Sequence, residues 1–286
     1  MNRKKKMLSC INKKGVGLEI GPCHSPVAPK RKGYKVEIID HASRSDLIEK
    51  YKDHFSPEAI EKIEEVDYVW SGQSYAELTG KKKYYDWIIA SHVIEHTPDM
   101  VGFLRDCAEL LKEDGVLVLA VPDLRFCFDQ FRPASGLNQV IDAHLEQRTM
   151  HTPGTIFEYY ATTSNKGGRN IWKKGDTGAN SLQFSFEQAK EKFQQAQLQD
   201  HYMDAHAWCF TQNSFRLIIR DLHELGFCPL QEAKFFNTRK CEFILSLSAK
   251  AAASQLDRLT LLENYHNDLR QGLTAGRWRR WLKFNS

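Results

Sequence analysis

Two carboxylates, Glu19 and Asp40, each close an apolar run, and they stand roughly 20 residues apart. In an open parallel sheet the strand ends on that side border the ligand crevice, so two acidic ends describe a nucleoside-shaped site. Glu19 can accept hydrogen bonds from a ligand's ammonium group, and Asp40 can accept them from ribose hydroxyls. Gly21 lets the backbone turn tightly and approach a ligand where a Cβ would clash. A dinucleotide would need further glycines at positions 23 and 26, so that its pyrophosphate could reach a helix N-terminus. Cys23 and Pro26 stand there instead. A nucleoside ligand without phosphate fits these residues better, with a nicotinamide-dependent oxidoreductase as a rival reading.

The second chemistry-bearing block is Tyr85-Asp86-Trp87-Ile88-Ile89-Ala90-Ser91-His92-Val93-Ile94-Glu95-His96. Within it, His92-x-x-Glu95-His96 matches a zinc-peptidase pattern that needs both histidines on one face of a continuous helix. Here the pattern directly follows a buried strand, and Pro98 lies two residues beyond, where a helix interior tolerates it badly. The expectation is therefore no metal, with a zinc hydrolase kept as a rival. Ser91 and His92 are instead expected beside the cofactor. His96 is expected to accept a proton from an acceptor or to pack under its loop.

Further on, Asp123, Arg125, Asp129 and Arg132 supply charge among Phe126, Phe128 and Phe131, and His201, Asp204 and His206 form a later cluster. An Asp and a His two residues apart can deprotonate a hydroxyl, which makes His206 a second candidate base beside Asp204. Arg125 and Arg132 suit an anionic group on the acceptor, and a solvated loop or a capping pair is the alternative for each of these residues.

Period and punctuation give the elements that must position these groups. Strands are expected at Val16–Glu19, Val36–Ile39, Tyr68–Trp70, Tyr85–Ala90 and Val116–Val121. Helices are expected at Asp46–Lys52, Pro57–Ile63 and Met100–Leu111. Pro22, Pro26 and Pro29 leave the first crossover at most a short helix. From about 123 to 210 the rhythm lapses into aromatics, a loop at Ser164–Asn180 and a polar helix at Ser185–Gln199. It returns with an Asn213/Ser214 cap, a helix at Phe215–Leu225, strands near Leu230–Phe236 and Glu242–Leu247, and a last helix at Ala251–Arg270. The layout is α/β, a doubly wound Rossmann-like sheet of seven strands, mostly parallel with an antiparallel last strand and an insertion after strand five.

With Glu19-x-Gly21, the acid at Asp40, the Asp86–His96 block and Asp114-Gly115 before a strand ending at Pro122, the chain resembles class I S-adenosylmethionine-dependent methyltransferases. The resemblance covers about residues 1–125, and 211–248 as the closing helix and antiparallel pair. It implies S-adenosylmethionine as cofactor, held by Glu19, Gly21, Cys23, Asp40, Ser91 and His92. Gln73 or backbone would serve the adenine, because no acid follows the third strand in Trp70-Ser71-Gly72-Gln73-Ser74. Residues 1–125 and 211–249 would form the cofactor-binding core, 126–210 a substrate cap, and 250–286 a C-terminal helix and basic tail. The run from Pro122 through Asp123, Arg125 and Asp129 to Arg132 is similar to a branch associated with surface-polysaccharide biosynthesis. This implies a polar small-molecule or glycan acceptor touched by Asp123, Arg125, Arg132 and Asp204, with His96 or His206 as base. A relative that keeps the fold as a non-catalytic scaffold is the alternative, favoured by Cys23 and Ser25 where the family has glycines.

The bulk composition excludes other classes. Of 286 residues, 42% are hydrophobic and 27% charged, as in ordinary globular domains. Seven scattered cysteines, none paired as C-x-x-C, argue for reduced thiols and, with no apolar leader, for a cytoplasmic protein. The formal charge is +4, but four basic residues near the start and four near the end leave the stretch between them net acidic. Nucleic acid is therefore not an expected partner. The tail Arg277-Trp278-Arg279-Arg280-Trp281 could touch an anionic membrane surface weakly.

Overall fold

The computed structural model describes residues 1–198, 201–252 and 256–274. Its main sheet holds β1 (Gly17–Ile20), β2 (Val36–Asp40), β3 (Tyr68–Val69), β4 (Tyr85–Ser91), β5 (Leu111–Pro122), β6 (Gln231–Arg239) and β7 (Glu242–Ser248). The strand order is β3-β2-β1-β4-β5-β7-β6. The first five strands pair in parallel, and β7 runs antiparallel to both β5 and β6. This is the expected doubly wound sheet.

The central strands carry continuous apolar runs because both faces are covered. On one face Leu18, Ile88, Leu117 and Leu119 pack with α5 (Met100–Leu110) and α9 (Gln212–Glu224). On the other, Trp87, Ile89, Val118 and Ile244 pack with Met7 of α1 (Arg3–Leu8). Gly17 is required by this second layer. A Cβ there would stand 2.1 Å from the Trp87 indole.

The remaining helices are α2 (Arg44–Tyr51), α3 (Pro57–Ile60), α4 (Tyr75–Thr79), α6 (Leu137–Leu145), α7 (Pro153–Thr162), α8 (Phe186–Leu198) and α10 (Arg258–Thr274). One element was not expected from the sequence, and other expectations need correction. The basic N-terminus is helical, capped by Asn2 and anchored by the fully buried Met7. The α9 cap is Thr211, whose hydroxyl accepts from Ser214 N, so the helix starts at Gln212 rather than Phe215. The last helix starts at Arg258 rather than Ala251, after the Asp257 carboxylate accepts from Thr260 N at 2.9 Å. The expected loop at Ser164–Asn180 closes as an antiparallel hairpin, Ser164–Lys166 with Asn180–Leu182. As expected, the first crossover carries only a short helical turn, Lys30–Lys32.

The chain leaves the sheet after β5 and returns at α9 through α6, α7, the hairpin and α8. Its return is pinned beside the strand ends: Leu124 N donates to Phe210 O at 2.8 Å, and Ala207 N to Glu95 O at 2.7 Å. Trp208 Nε1 donates to Thr97 O at 2.7 Å. The first bond ties the segment to the residues after β5, and the other two bring it against the loop that follows β4.

Candidate active site

At the ends of β1 and β2, Gly21 has φ of +62° and donates its N–H to Ile39 O at 2.8 Å. A Cβ at Gly21 would lie 3.1 Å from Val93 of the loop after β4. Cys23 follows with φ of +41° and donates its N–H to the Asp40 carboxylate at 3.3 Å. The other Asp40 oxygen accepts from His41 N at 2.8 Å. Asp40 therefore sits where the sequence expected it, buried at the end of β2 with a carboxylate oxygen that has accepted one long bond. Pro22, Cys23, Pro26, Ile38, Asp40 and Leu47 line a crevice there that is too narrow to admit a water molecule.

Glu19 is placed differently from expectation. Its two oxygens accept from Val27 N at 2.6 Å and Ala28 N at 3.1 Å, and the residue is 2% exposed. The carboxylate braces the loop after β1 because that loop, broken by prolines, has few backbone partners of its own. Burial pushes its pKa up, and the two amides only partly offset this, leaving it at about 7.

At the end of β4, the Ser91 hydroxyl meets the Arg3 guanidinium. Arg3 Nε also pairs with Glu242 at the start of β7. His92, in the left-handed region with φ of +56°, places Nε2 2.8 Å from the same Glu242 carboxylate. Ser91 and His92 thus do border the strand ends, with Ser91 engaged by Arg3 of α1 and His92 partly open beside Glu242. Sequence reasoning missed Arg3 and Glu242, since nothing local joins positions 239 residues apart.

His96 and His206 come together. Their rings meet edge to face with centroids 4.6 Å apart. His96 Nδ1 lies 2.8 Å from the Asp204 carboxylate, and His206 Nδ1 lies 2.6 Å from Asp129. Burial opposes charge on His96, but Asp204 and Glu95 outweigh it and raise its pKa. Burial likewise opposes charge on Asp204, and the bond to His96 overcomes it, pulling Asp204 down to about 2. His151 joins this neighbourhood through Tyr202, whose hydroxyl lies 3.1 Å from His151 Nε2. Burial drives the His151 pKa down to about 4, so it is neutral.

Four other candidates are turned away from a ligand. Arg125 grips Asp123 through Nε at 2.8 Å and Nη2 at 2.6 Å, and Asp268 of α10 through Nη1 at 2.7 Å. Neither Asp123 nor Arg125 therefore faces an acceptor. Arg132 donates to His206 O at 2.7 Å and to Asp129 and Glu158 at 3.2 Å, so its work is to position His206. The Gln73 carboxamide oxygen closes its own turn on Ser71 N and Oγ, both at 3.0 Å. Asp204 remains, exposed at the rim. The basic tail at Arg277–Trp281 lies outside the described residues. Among the described residues no helix is long and apolar enough to cross a membrane.

A family model described as a methyltransferase domain matches residues 3–228. The chain belongs to that family. The fold is the class I methyltransferase fold, and the family's cofactor is S-adenosylmethionine. Among solved structures, the CcbJ methyltransferase from Streptomyces caelestis is similar at 11% identity, with 87% of this chain and 94% of that chain covered and a TM-score of 0.45. A SAM-dependent methyltransferase from Methanosarcina mazei matches at 15% identity over 88% of this chain and 100% of that one, with a TM-score of 0.42. A putative sarcosine dimethylglycine methyltransferase from Galdieria sulphuraria matches at 19% identity and a TM-score of 0.30. That match takes in 42% of this chain and only 45% of the relative's length. No curated protein sequence matches.

The methyltransferase's residues fit this cofactor on their own geometry. The left-handed Gly21, with Val93 closing on its missing Cβ, leaves bare backbone at the crevice. Asp40 offers a carboxylate oxygen at the place where ribose hydroxyls would need an acceptor.

Proposed function

We propose that this protein transfers a methyl group from S-adenosylmethionine to an oxygen of a polar small-molecule or sugar acceptor. The observation that carries the reading is the Asp129–His206 pair, which sets a ring nitrogen free beside the strand ends. When bound, the cofactor supplies an intrinsically electrophilic sulfonium methyl.

Asp40 and the Gly21–Cys23 backbone would hold and orient the nucleoside half. With Nδ1–H donated to Asp129, His206 keeps Nε2 as an acceptor for the hydroxyl proton of the incoming substrate. Arg132 fixes His206 through its carbonyl, as the third member of a nucleophile–base–orienter arrangement requires. His96 holds charge to higher pH than an ordinary imidazole, so it suits a proton donor or an anion contact better than a base. A cavity of about 220 Å3, reaching Ala207 and lined by Arg148, His151, Thr152, Thr155 and Glu158, offers polar groups to a glycan acceptor. A role in surface-polysaccharide assembly is consistent with that lining.

The test is calorimetric titration with S-adenosylmethionine and S-adenosylhomocysteine, followed by S-adenosylhomocysteine release with sugar-nucleotide and glycan acceptors. Saturable binding weakened by Asp40→Ala, by about 1.5–3 kcal/mol for a lost charge-assisted contact, supports the reading. Absent binding at millimolar ligand would favour a scaffold that has kept only the fold.

A further inference from the structure

The side chain of Glu95 has no exposure at all, and neither of its carboxylate oxygens has a hydrogen-bond partner. An ionised group in that position is costly unless something neutralises it. His92 Nδ1 approaches Oε1 to 3.3 Å, within ion-pair range but without hydrogen-bond geometry. On its other side Glu95 faces His96 and His206. One ligand atom from each of the three residues falls within 4.8 Å of the others.

Both imidazoles are already arranged as metal ligands usually are. Each places Nδ1 against a carboxylate, His96 on Asp204 at 2.8 Å and His206 on Asp129 at 2.6 Å. Donating one ring N–H to a carboxylate fixes the tautomer and makes the other nitrogen the better ligand. Among the described residues nothing hydrogen-bonds the Nε2 of either ring.

We propose that Glu95, His96 and His206 form a binding site for one divalent transition-metal cation of the zinc type, with Asp204 and Asp129 as its outer carboxylates. Two imidazoles and one carboxylate make a ligand set that suits Zn2+ and leaves a coordination position for solvent or substrate. Ligands at about 2.1 Å from such an ion stand about 3–3.5 Å apart in a tetrahedron, so the three side chains close by about an ångström on binding. The ligands do not lie on one helix, as the peptidase pattern demands. Glu95 and His96 come from the turn Ile94–His96, and His206 comes from the returning segment that Ala207 N ties to Glu95 O. With the ion bound, His206 Nε2 is a ligand and no longer a base; the ion would instead lower the pKa of a substrate oxygen in the open position, whose proton passes to solvent. That last consequence rests on the methyl-transfer reading; the site itself does not.

The experiment uses the untagged full-length chain, stripped with chelator, reloaded with Zn2+ and dialysed, with bound metal counted by mass spectrometry. Co2+ loading adds an absorption signature of the ligand geometry. One Zn2+ per chain is expected. His96→Gln and His206→Gln should each weaken affinity at least tenfold, and Asp204→Asn, at the exposed rim, by about 10–100-fold as an outer ligand does. Near-ultraviolet dichroism checks that each variant is folded, and the half-exposed His96 keeps the test alive if Glu95→Gln does not fold. No retained zinc in the wild type, or equal retention in the His96 and His206 variants, would overturn the site. Neither result would touch cofactor binding, which is titrated on the metal-free chain.

Discussion

Arg125 Nη1 donates to Asp268 Oδ1 at 2.7 Å across 143 residues of sequence, with both side chains almost wholly buried. The same guanidinium neutralises Asp123 at the end of β5, so one cation ties α10 to the sheet. Arg125→Ala would strand two buried carboxylates and should cost about 3–5 kcal/mol of stability, read from urea unfolding. In whatever folded protein remains, the acceptor KM should stay near the wild-type value. A raised KM with unchanged unfolding would return Arg125 to the acceptor site.

The Asp129–His206 pair makes a different prediction. Asp129→Asn keeps the shape but allows the ring to take the wrong tautomer, and His206→Gln removes the ring nitrogen altogether. Both should lower kcat by about 10²–10⁴-fold, the usual worth of a positioned base, while leaving the cofactor dissociation constant unchanged. S-adenosylhomocysteine release under saturating cofactor measures the first, and calorimetry the second. Full activity in His206→Gln would remove it from the proton path.

The parts of the molecule readable in advance were those governed by local rules. The apolar run Val116–Val121 reads as a central strand because it is short, rich in β-branched residues and bounded by Gly115 and Pro122. The place of Asp40 at the end of β2 was readable because it follows from that strand alone. Arg125 and Arg132 were misread for the opposite reason. Their partners Asp268, Glu158 and the His206 carbonyl are distant in sequence, and a charge beside a strand end looks the same whether it faces solvent or another helix. Glu95 lay inside a recognised pattern, but only the return of residues 204–210 shows what its carboxylate faces. The helices α6 and α7 escaped because their apolar faces are short and interrupted by polar residues.

Gly21 and Gly80 separate backbone strain from close approach. Both have positive φ, +62° and +66°. A Cβ at Gly80 would meet nothing within 4 Å, whereas one at Gly21 would press on Val93. Each alanine variant should lose about 1–3 kcal/mol of stability from the left-handed backbone alone. Only Gly21→Ala should also weaken cofactor binding, because its Cβ enters the crevice. Equal cofactor affinity in the two variants, measured by titration under folding conditions, would place the nucleoside elsewhere.

Glu19 gives the protein a pH dependence opposite to that of an ordinary paired carboxylate. Burial raises its folded pKa from 4.5 to about 7, so between those values the folded chain binds more protons than the unfolded one. The stability it contributes is fully present below pH 4.5 and is lost as pH rises through about 7. Glu19→Gln cannot ionise and offers one acceptor oxygen to the two donors Val27 N and Ala28 N. At pH 5 the variant should therefore be the less stable, by about one hydrogen bond or 0.5–1.5 kcal/mol. By pH 8 the wild type alone carries a buried charge in the β1 loop, so the gap should close or reverse. Urea unfolding of both proteins at pH 5, 6, 7 and 8 reads the difference directly, and a gap that widens with pH would mean that Glu19 is held ionised by the loop it braces.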